Sequence, residues 1–216
     1  MAFGLTFRND NNVVALDSEF SRLVVLHSGR YNRGATFPKT ITSIEPPLIF
    51  VRPDANASFQ FVKIRGSPGA WTGWSWTATI VGSSPTGDYF AAAFKSVQTA
   101  KFGLRLWDGD SKLLFDNGTP CAQFTRYITS WTFTGSSSTP QGQTRMNWRA
   151  SIPLSRSGDY MLINNIAMDL AGGDSYSKVY CEWSYTNNQI NPFLVNLGDY
   201  QRNGLFLTIA FAKPIS

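Results

Sequence analysis

The sequence predicts an all-β protein, an antiparallel β-sandwich built from many short strands and hairpins with little helix. Three observations favour this fold. Aromatic residues are abundant, with 16 Phe, 8 Tyr and 7 Trp among 216 residues, and they suit the pleated, half-buried surface of a sheet. Short segments in which apolar and polar residues alternate recur along the chain. Clusters of Gly, Pro, Ser and Asn separate these segments, as turns require.

The predicted strands begin at the start of the chain. Phe3, Leu5 and Phe7 share one face of the first strand, because successive side chains of a strand point to opposite faces. Further strands are predicted at 22–27, 48–51, 58–64, 74–81, 89–95, 123–133, 146–152, 160–163, 177–185 and 205–211. The last segment is almost continuously apolar, which predicts a central strand covered on both faces.

Two segments carry weak helical character. The segment at 90–101, FAAAFKSVQTAK, has a helix-like composition, but Tyr89 and Phe90 favour the start of a strand. The segment at 192–200, PFLVNLGDY, predicts a helical turn or two. No sharp boundary divides the chain. We therefore predict one β-sandwich domain over 1–216, with a weaker alternative division into 1–100 and 101–216.

One short motif occurs twice, 99 residues apart. Residues 3–17 read FGLTFRNDNNVVALD, and residues 102–118 read FGLRLWDGDSKLLFDNG. Each copy predicts a hairpin with an exposed Asp/Asn turn and a buried Leu/Phe face, on which Leu5 and Leu104 lie. Beyond the hairpin the two halves do not align in sequence. We therefore expect the two copies to flank one sandwich rather than to open two related halves.

The sequence nominates no catalytic site, and we predict that the protein is not an enzyme. His27 is the only histidine, and a lone histidine at the end of an apolar strand is more often structural than catalytic. Cys121 and Cys181 lack a metal-binding spacing, so we predict buried thiols and no metal. The DGDS segment at 108–111 lacks the ligands that complete a calcium loop, which indicates a hairpin turn. No cofactor motif is present, so no cofactor is predicted.

Charge and hydropathy indicate whether the protein binds nucleic acid or inserts into a membrane. The net charge is +5, but the basic residues are scattered, so the sequence predicts no nucleic-acid interface. No apolar run has the length needed to span a bilayer. The N-terminus lacks the pattern of a signal peptide, so we predict synthesis in a cytoplasm and no membrane insertion.

Three tryptophans lie close together in GSPGAWTGWSW at 66–76. Trp74 and Trp76 share a face of a predicted strand and are interpreted as core residues. Trp71 stands in the Gly/Pro-rich part, where we expect an exposed loop. Exposed indole rings stack on sugars or pack against protein partners, so Trp71 is a binding candidate.

The other binding candidates belong to predicted loops. The loop GRYNRGATFPK at 29–39 combines Tyr, Arg and Asn, a composition that suits recognition surfaces. Polar loops at 135–144 and 184–192 could form receptor-facing tips of the sandwich or could be ordinary surface loops. The predicted receptor-binding or partner-binding residues are Trp71, Tyr31, Arg30, Arg33, Tyr176 and Tyr185.

The doubled hairpin resembles a motif of small tail-fibre, tail-tip or receptor-binding proteins of tailed bacteriophages. That motif runs Gly-Leu-x-φ-Trp/Phe-Asp/Asn-x-x-Gly-x-φ-φ-φ-Asp, where φ is apolar. The matching positions are Gly4, Leu5, Phe7, Asn9, Val14 and Asp17 in the first copy, and Gly103, Leu104, Leu106, Trp107, Asp108, Leu113, Leu114, Phe115 and Asp116 in the second. Both copies depart at the turn glycine, where Asn12 and Ser111 stand. The second turn can use Ser111 or move onto Gly109.

The resemblance implies a virion component, made in the host cytoplasm and released by lysis, that attaches the phage to the bacterial surface. It implies other phage tail proteins and a bacterial surface receptor, polysaccharide or protein, as partners. It also implies that the chain forms a homo-oligomer, by analogy a trimer, because phage fibres are commonly trimeric. The alternative hypothesis is a structural adaptor that joins virion proteins without receptor contact. The third hypothesis is a carbohydrate-active enzyme, but the sequence indicates no pair of carboxylates that could act on a glycosidic bond.

Overall fold

The computed structural model describes residues 6–8, 14–17, 22–76, 86–154, 158–166, 169–172, 175–196 and 204–215, with the backbone alone at 6–8, 14–17, 169–172, 175–177 and 196. No helix occurs in these residues, and the strands pair antiparallel, which confirms the all-β prediction. The strands are β1 (Thr6–Arg8), β2 (Val14–Asp17), β3 (Val24–Asn32), β4 (Gly34–Ile41), β5 (Leu48–Pro53), β6 (Ala57–Phe59), β7 (Lys63–Ser67), β8 (Ala70–Ser75), β9 (Thr86–Ala93), β10 (Arg105–Trp107), β11 (Leu113–Asp116), β12 (Cys121–Ile128), β13 (Trp131–Ser138), β14 (Thr144–Ala150), β15 (Tyr160–Leu162), β16 (Asp169–Gly172), β17 (Ser175–Ser184), β18 (Gln189–Asn196) and β19 (Ile209–Ile215).

The described strands form three larger sheets and two separate hairpins. Six strands close on themselves in the order β3-β9-β5-β15-β19-β12. A second sheet has the order β13-β14-β18-β17-β16, with β6 added beside β17. A third sheet has the order β4-β8-β7, and β1–β2 and β10–β11 are two-stranded.

Alternation along strand β5 divides its apolar residues between two of the three buried apolar clusters of the described residues. In β5, Ile49 joins the main core, whereas its neighbour Phe50 lies in the second cluster. The main core also takes Trp74 from the three-stranded sheet and Trp148 and Trp183 from the second sheet. All three indole rings are almost completely buried. The three sheets therefore share one core, as in a sandwich.

The two halves of the chain follow the same strand order. In the first half, β1–β2 leads into β3, and the closed sheet contains β3-β9-β5. In the second half, β10–β11 leads into β12, and the closed sheet contains β12-β19-β15. The order β4-β8-β7 is likewise matched by β14-β18-β17, whereas β6, β13 and β16 have no counterpart among the described strands. The doubled hairpins thus open two related halves, and the prediction that they flank one unrepeated sandwich is wrong.

The hydrogen-bond register repeats along with the strand order. Strand β3 pairs with β9 in the first half as β12 pairs with β19 in the second, and a β-bulge lies at the same point of both ladders. The halves meet antiparallel, with β3 beside β12 and β5 beside β15, so an approximate twofold axis relates them. The residues at equivalent positions include Val25 and Phe124, Ala92 and Ala212, and Leu48 and Tyr160.

Both predicted hairpins form, and their registers match. Thr6 pairs with Asp17, and 99 residues later Arg105 pairs with Asp116, with a bulge in the same place. Leu104 lies just before β10 and is 43% exposed, so the prediction that it is buried is wrong. The buried apolar residue of this hairpin is Leu114 instead. Leu5, the other residue of that prediction, lies outside the described part of the chain.

The turn of the second hairpin uses Ser111 rather than Gly109. Ser111 has a φ of +62°, in the left-handed region that glycine occupies in the motif. The Asp108 side chain supports it, because its Oδ1 accepts hydrogen bonds from the backbone N–H groups of Asp110 and Lys112 at 3.0 and 2.8 Å. This pattern confirms the DGDS segment as a hairpin turn.

Three segments differ from, or refine, the sequence predictions. The segment at 90–101 begins in strand β9, as its aromatic start indicates. Residues 192–196 belong to β18, so the helical turn predicted from 192 onward is wrong there. The last strand starts at Ile209 rather than at 205, and it is central because it lies between β12 and β15. The end of the strand predicted at 74–81 lies outside the described residues.

Candidate functional site

One buried carboxylate fastens the second hairpin to the segment that follows β9. Asp116 accepts four hydrogen bonds, from Arg105 Nε at 2.7 Å, Thr99 Oγ1 at 3.0 Å, and the N–H groups of Ala100 at 3.0 Å and Gly118 at 2.9 Å. Burial acts to raise the pKa of this carboxyl, but the four donors outweigh burial and hold the pKa well below its usual range. Asp116 is therefore an anion that organises the hairpin.

Two more hydrogen bonds join the same segments. Ser96 Oγ donates to the carbonyl of Leu114, and Thr119 Oγ1 donates to the carbonyl of Val97 at 2.9 Å. Because strands β10 and β11 are only three and four residues long, such a ribbon is marginal by itself. These contacts give it a defined position on the domain.

A cleft of about 750 Å³ opens beside the hairpin, and we call it the hairpin cleft. Its walls come from residues 42–46 and Leu48 at the start of β5, from 92–96 at the end of β9 and just after it, from 112–113 of the hairpin, and from Asn164. Ala92 and Ala93 line it, and their short side chains leave space that larger residues would fill. The volume falls within the range of about 300–1,000 Å³ that is typical of ligand pockets.

Large apolar side chains stand exposed around this region. Ile44 and Phe94, which line the hairpin cleft, are 72% and 61% exposed. On the hairpin, Phe102 is 90% and Trp107 51% exposed, and Trp107 pairs across the strands with Leu113 of the cleft wall. Exposed apolar groups gathered in this way are typical of binding surfaces.

Arg30 of the predicted recognition loop lies on a strand and makes ion pairs. It lies within β3, two residues before the end of the strand, and its guanidinium forms a two-pronged pair with Asp54. The carboxylate of Asp88 also pairs with Arg30, with 3.3 Å between Oδ1 and Nη1. Its other oxygen, Oδ2, lies 3.4 Å from Nη2 of Arg52. Arg33 forms the turn between β3 and β4 with a φ of +54° and an exposed side chain.

Two of the predicted tyrosines face inward. Tyr31 is buried against Trp74, with ring centroids 5.3 Å apart, and its hydroxyl has no hydrogen-bond partner among the described residues. Tyr185 is half-buried and donates its hydroxyl to the carbonyl of Pro53 at 2.7 Å. Burial is the main reason that the pKa of both phenols is raised. Arg30 and Tyr185 therefore contact neighbouring residues, Asp54 and Pro53, whereas Tyr31 packs into the core.

The expectation of an exposed Trp71 loop is wrong. Strand β8 starts at Ala70, because the tight turn at 68–69 closes a β7–β8 hairpin. Trp71 is therefore a strand residue, 7% exposed, and its Nε1–H donates to the carbonyl of Ser43 at 2.9 Å. Trp74 and Trp76 are buried, which confirms them as core residues. Tyr176 has its backbone in β17, and its side chain lies outside the described part.

The histidine and the cysteines occupy structural surroundings. The His27 ring stacks on Phe37 with centroids 5.2 Å apart, and Nε2 lies 2.6 Å from the Lys39 carbonyl. Burial lowers the pKa of His27. Cys121 and Cys181 are buried free thiols, as predicted, and burial raises the pKa of Cys181. Within the described ranges, no three His, Cys, Asp or Glu side chains are arranged to hold a metal ion.

Sequence reasoning missed the two features that dominate this region. The hairpin cleft joins four parts of the chain that are distant in sequence, so no local pattern indicates it. Asp116 was detectable in principle, because an aspartate closes both copies of the motif after an apolar run. Its repetition at Asp17 was the available indication that the carboxylate has a structural task.

Comparison with known proteins finds no family model that matches this chain, and no curated protein or solved structure that is similar to it. Among the described residues there is no helix with the length and apolar character needed to cross a membrane.

Proposed function

We propose that this chain is a component of a bacteriophage tail tip or tail fibre that attaches the particle to the bacterial surface by non-covalent contact. The repeated hairpin carries the proposal. Its two copies share the resemblance to phage tail proteins, and they share one register and one bulge. A conserved backbone geometry in both copies supports a motif rather than a chance match of letters.

The surface of the second hairpin also supports a contact role. Phe102 and Trp107 project into solvent from a ribbon that the Asp116 hydrogen bonds hold in place. Aromatic side chains held rigidly at a surface lose little conformational entropy when a partner covers them, which makes them effective anchors. We therefore assign the contact surface to this hairpin rather than to Trp71.

The proposal is tested by adsorption of the purified, fluorescently labelled chain to host bacteria, measured by flow cytometry. We expect saturable binding, and a Phe102→Ser, Trp107→Ser double variant should reduce it at least tenfold. Phe206→Ser is the control, because Phe206 is a fully exposed aromatic residue that does not lie on the hairpin. Absence of adsorption by the wild-type chain at any concentration would refute a receptor-binding role.

A structural adaptor is the second candidate function, and the approximate twofold relation favours it. Two equivalent hairpins lead into neighbouring antiparallel strands, β3 and β12, which provides two equivalent docking elements for virion proteins. An adaptor should bind purified tail proteins and ignore host cells. Light scattering of the isolated chain tests the trimer that the resemblance implies, since an oligomer would multiply weak contacts into avid binding.

A further inference from the structure

The hairpin cleft has an apolar lining whose polar groups are mostly used within the protein. Asn164 accepts from the Ile49 N–H at 2.6 Å and donates to the Pro47 carbonyl at 2.9 Å. Ser43 Oγ donates to the Glu45 carbonyl, and Ser96 Oγ to the Leu114 carbonyl. A sugar needs several free hydrogen-bonding groups, and these are already paired. The cleft therefore suits an apolar ligand.

The charges at the cleft favour an anionic end on that ligand. Lys95 and Lys112 contribute two ammonium groups against the single carboxylate of Glu45. Lys95 donates to the carbonyl and the hydroxyl of Thr42 at 3.0 and 2.6 Å, which leaves one of its three protons for a ligand. Lys112 makes no ion pair with a carboxylate in the described part of the chain. An acidic group at the end of an apolar chain would complement the charge of Lys112.

We propose that the hairpin cleft binds an anionic amphiphile, with an acyl chain against Leu48, Ala92 and Leu113 and a carboxylate or phosphate head at Lys112. Phe94 and Ile44, which stand exposed at the cleft, cover the part of the chain nearest the opening. This inference does not rest on the proposed function, because it is tested without cells or virions.

The first test is calorimetric titration of the full chain with alkanoates below their micellar concentrations. Burial of one methylene strengthens binding about fourfold, so dodecanoate should bind roughly tenfold or more tightly than decanoate. Dodecyltrimethylammonium, with the same chain length and a cationic head, should bind several-fold more weakly. No binding of dodecanoate, or equal binding of both head groups, would overturn the proposal.

Matched variants locate the ligand. Phe94→Ser should weaken dodecanoate binding about five- to tenfold, because a large apolar contact is lost, whereas Phe206→Ser should not. Lys112→Gln should weaken it about threefold, as expected for an exposed ion pair, whereas Lys63→Gln on β7 should leave it unchanged. Circular dichroism verifies that each variant is folded. Equal effects of the two Ser variants would place the ligand elsewhere and refute the site.

The amphiphile can come from free fatty acid or from a membrane lipid. Flotation with phosphatidylglycerol vesicles separates these sources, with phosphatidylcholine vesicles as the neutral control. Binding of dodecanoate without flotation indicates a free acid. Flotation with phosphatidylglycerol alone, reduced by Phe94→Ser, indicates the acyl region of an anionic lipid. Flotation that Phe94→Ser leaves unchanged argues against the cleft as the lipid site.

Discussion

Trp71→Phe separates a structural role for this tryptophan from the contact role that its sequence suggests. The indole Nε1–H donates to the Ser43 carbonyl at 2.9 Å, and the same carbonyl accepts the N–H of Gly69 at 2.9 Å. Phenylalanine keeps the apolar ring but cannot donate. The substitution therefore removes one of the two hydrogen bonds that the Ser43 carbonyl accepts, and Ser43 lies in a wall of the hairpin cleft.

The magnitude follows from two contributions. Loss of one net hydrogen bond costs about 1 kcal/mol, since the carbonyl keeps the Gly69 partner. The smaller ring leaves a gap and loses apolar contact, which costs about 1 kcal/mol more. Trp74→Phe is the matched control: Trp74 is also buried, but its Nε1 has no partner among the described residues. It should cost about 1 kcal/mol or less, because an unpaired donor is removed.

Urea unfolding followed by fluorescence measures both variants. With a denaturant slope of about 2 kcal/mol/M, Trp71→Phe should lower the midpoint by about 1 M and Trp74→Phe by half of that or less. Host-cell adsorption of folded Trp71→Phe should equal that of the wild type. If Trp71→Phe leaves the midpoint unchanged yet weakens adsorption, the indole contacts a partner and the structural argument fails.

Three further predictions concern stability. Because hydrogen bonds hold the pKa of Asp116 low in the folded state, its carboxylate stabilises the fold above about pH 4. The stability deficit of Asp116→Asn in urea titrations should shrink as pH falls below that value; a constant deficit down to pH 2 would contradict this. Gly103→Ala should destabilise the protein by roughly 1–3 kcal/mol in thermal melts, because Gly103 has a φ of +127° and an added Cβ would meet the Asn117 amide. Gly109→Ala is the control, because a Cβ added there has open space for 4 Å around it. Tyr31→Phe should leave stability unchanged or raise it by up to about 1 kcal/mol, since the hydroxyl is buried without a described partner; a large loss would reveal a hidden hydrogen bond.

The relation between the halves shows why a structural repeat can escape sequence comparison. Equivalent residues are 99 apart at the hairpins and at Val25 and Phe124, but Ala92 and Ala212 are 120 apart. The interval changes because more residues, including those of β13 and β16, lie between β12 and β19 than between β3 and β9. Backbone pairing tolerates these insertions and the exchange of Val for Phe, whereas an alignment at one fixed spacing does not.

The sequence by itself determined the all-β class, both hairpins and the acidic turn, because strand alternation and turn chemistry are local properties of a few adjacent residues. Only the tertiary structure decided which of those residues are buried. Trp71 is covered by a segment 28 residues away, and the carboxylate of Asp116 meets donors from before and after its hairpin. The hairpin cleft likewise exists only where β5, β9 and the second hairpin meet. Such features depend on the surface that each segment meets after folding, which the local pattern does not specify.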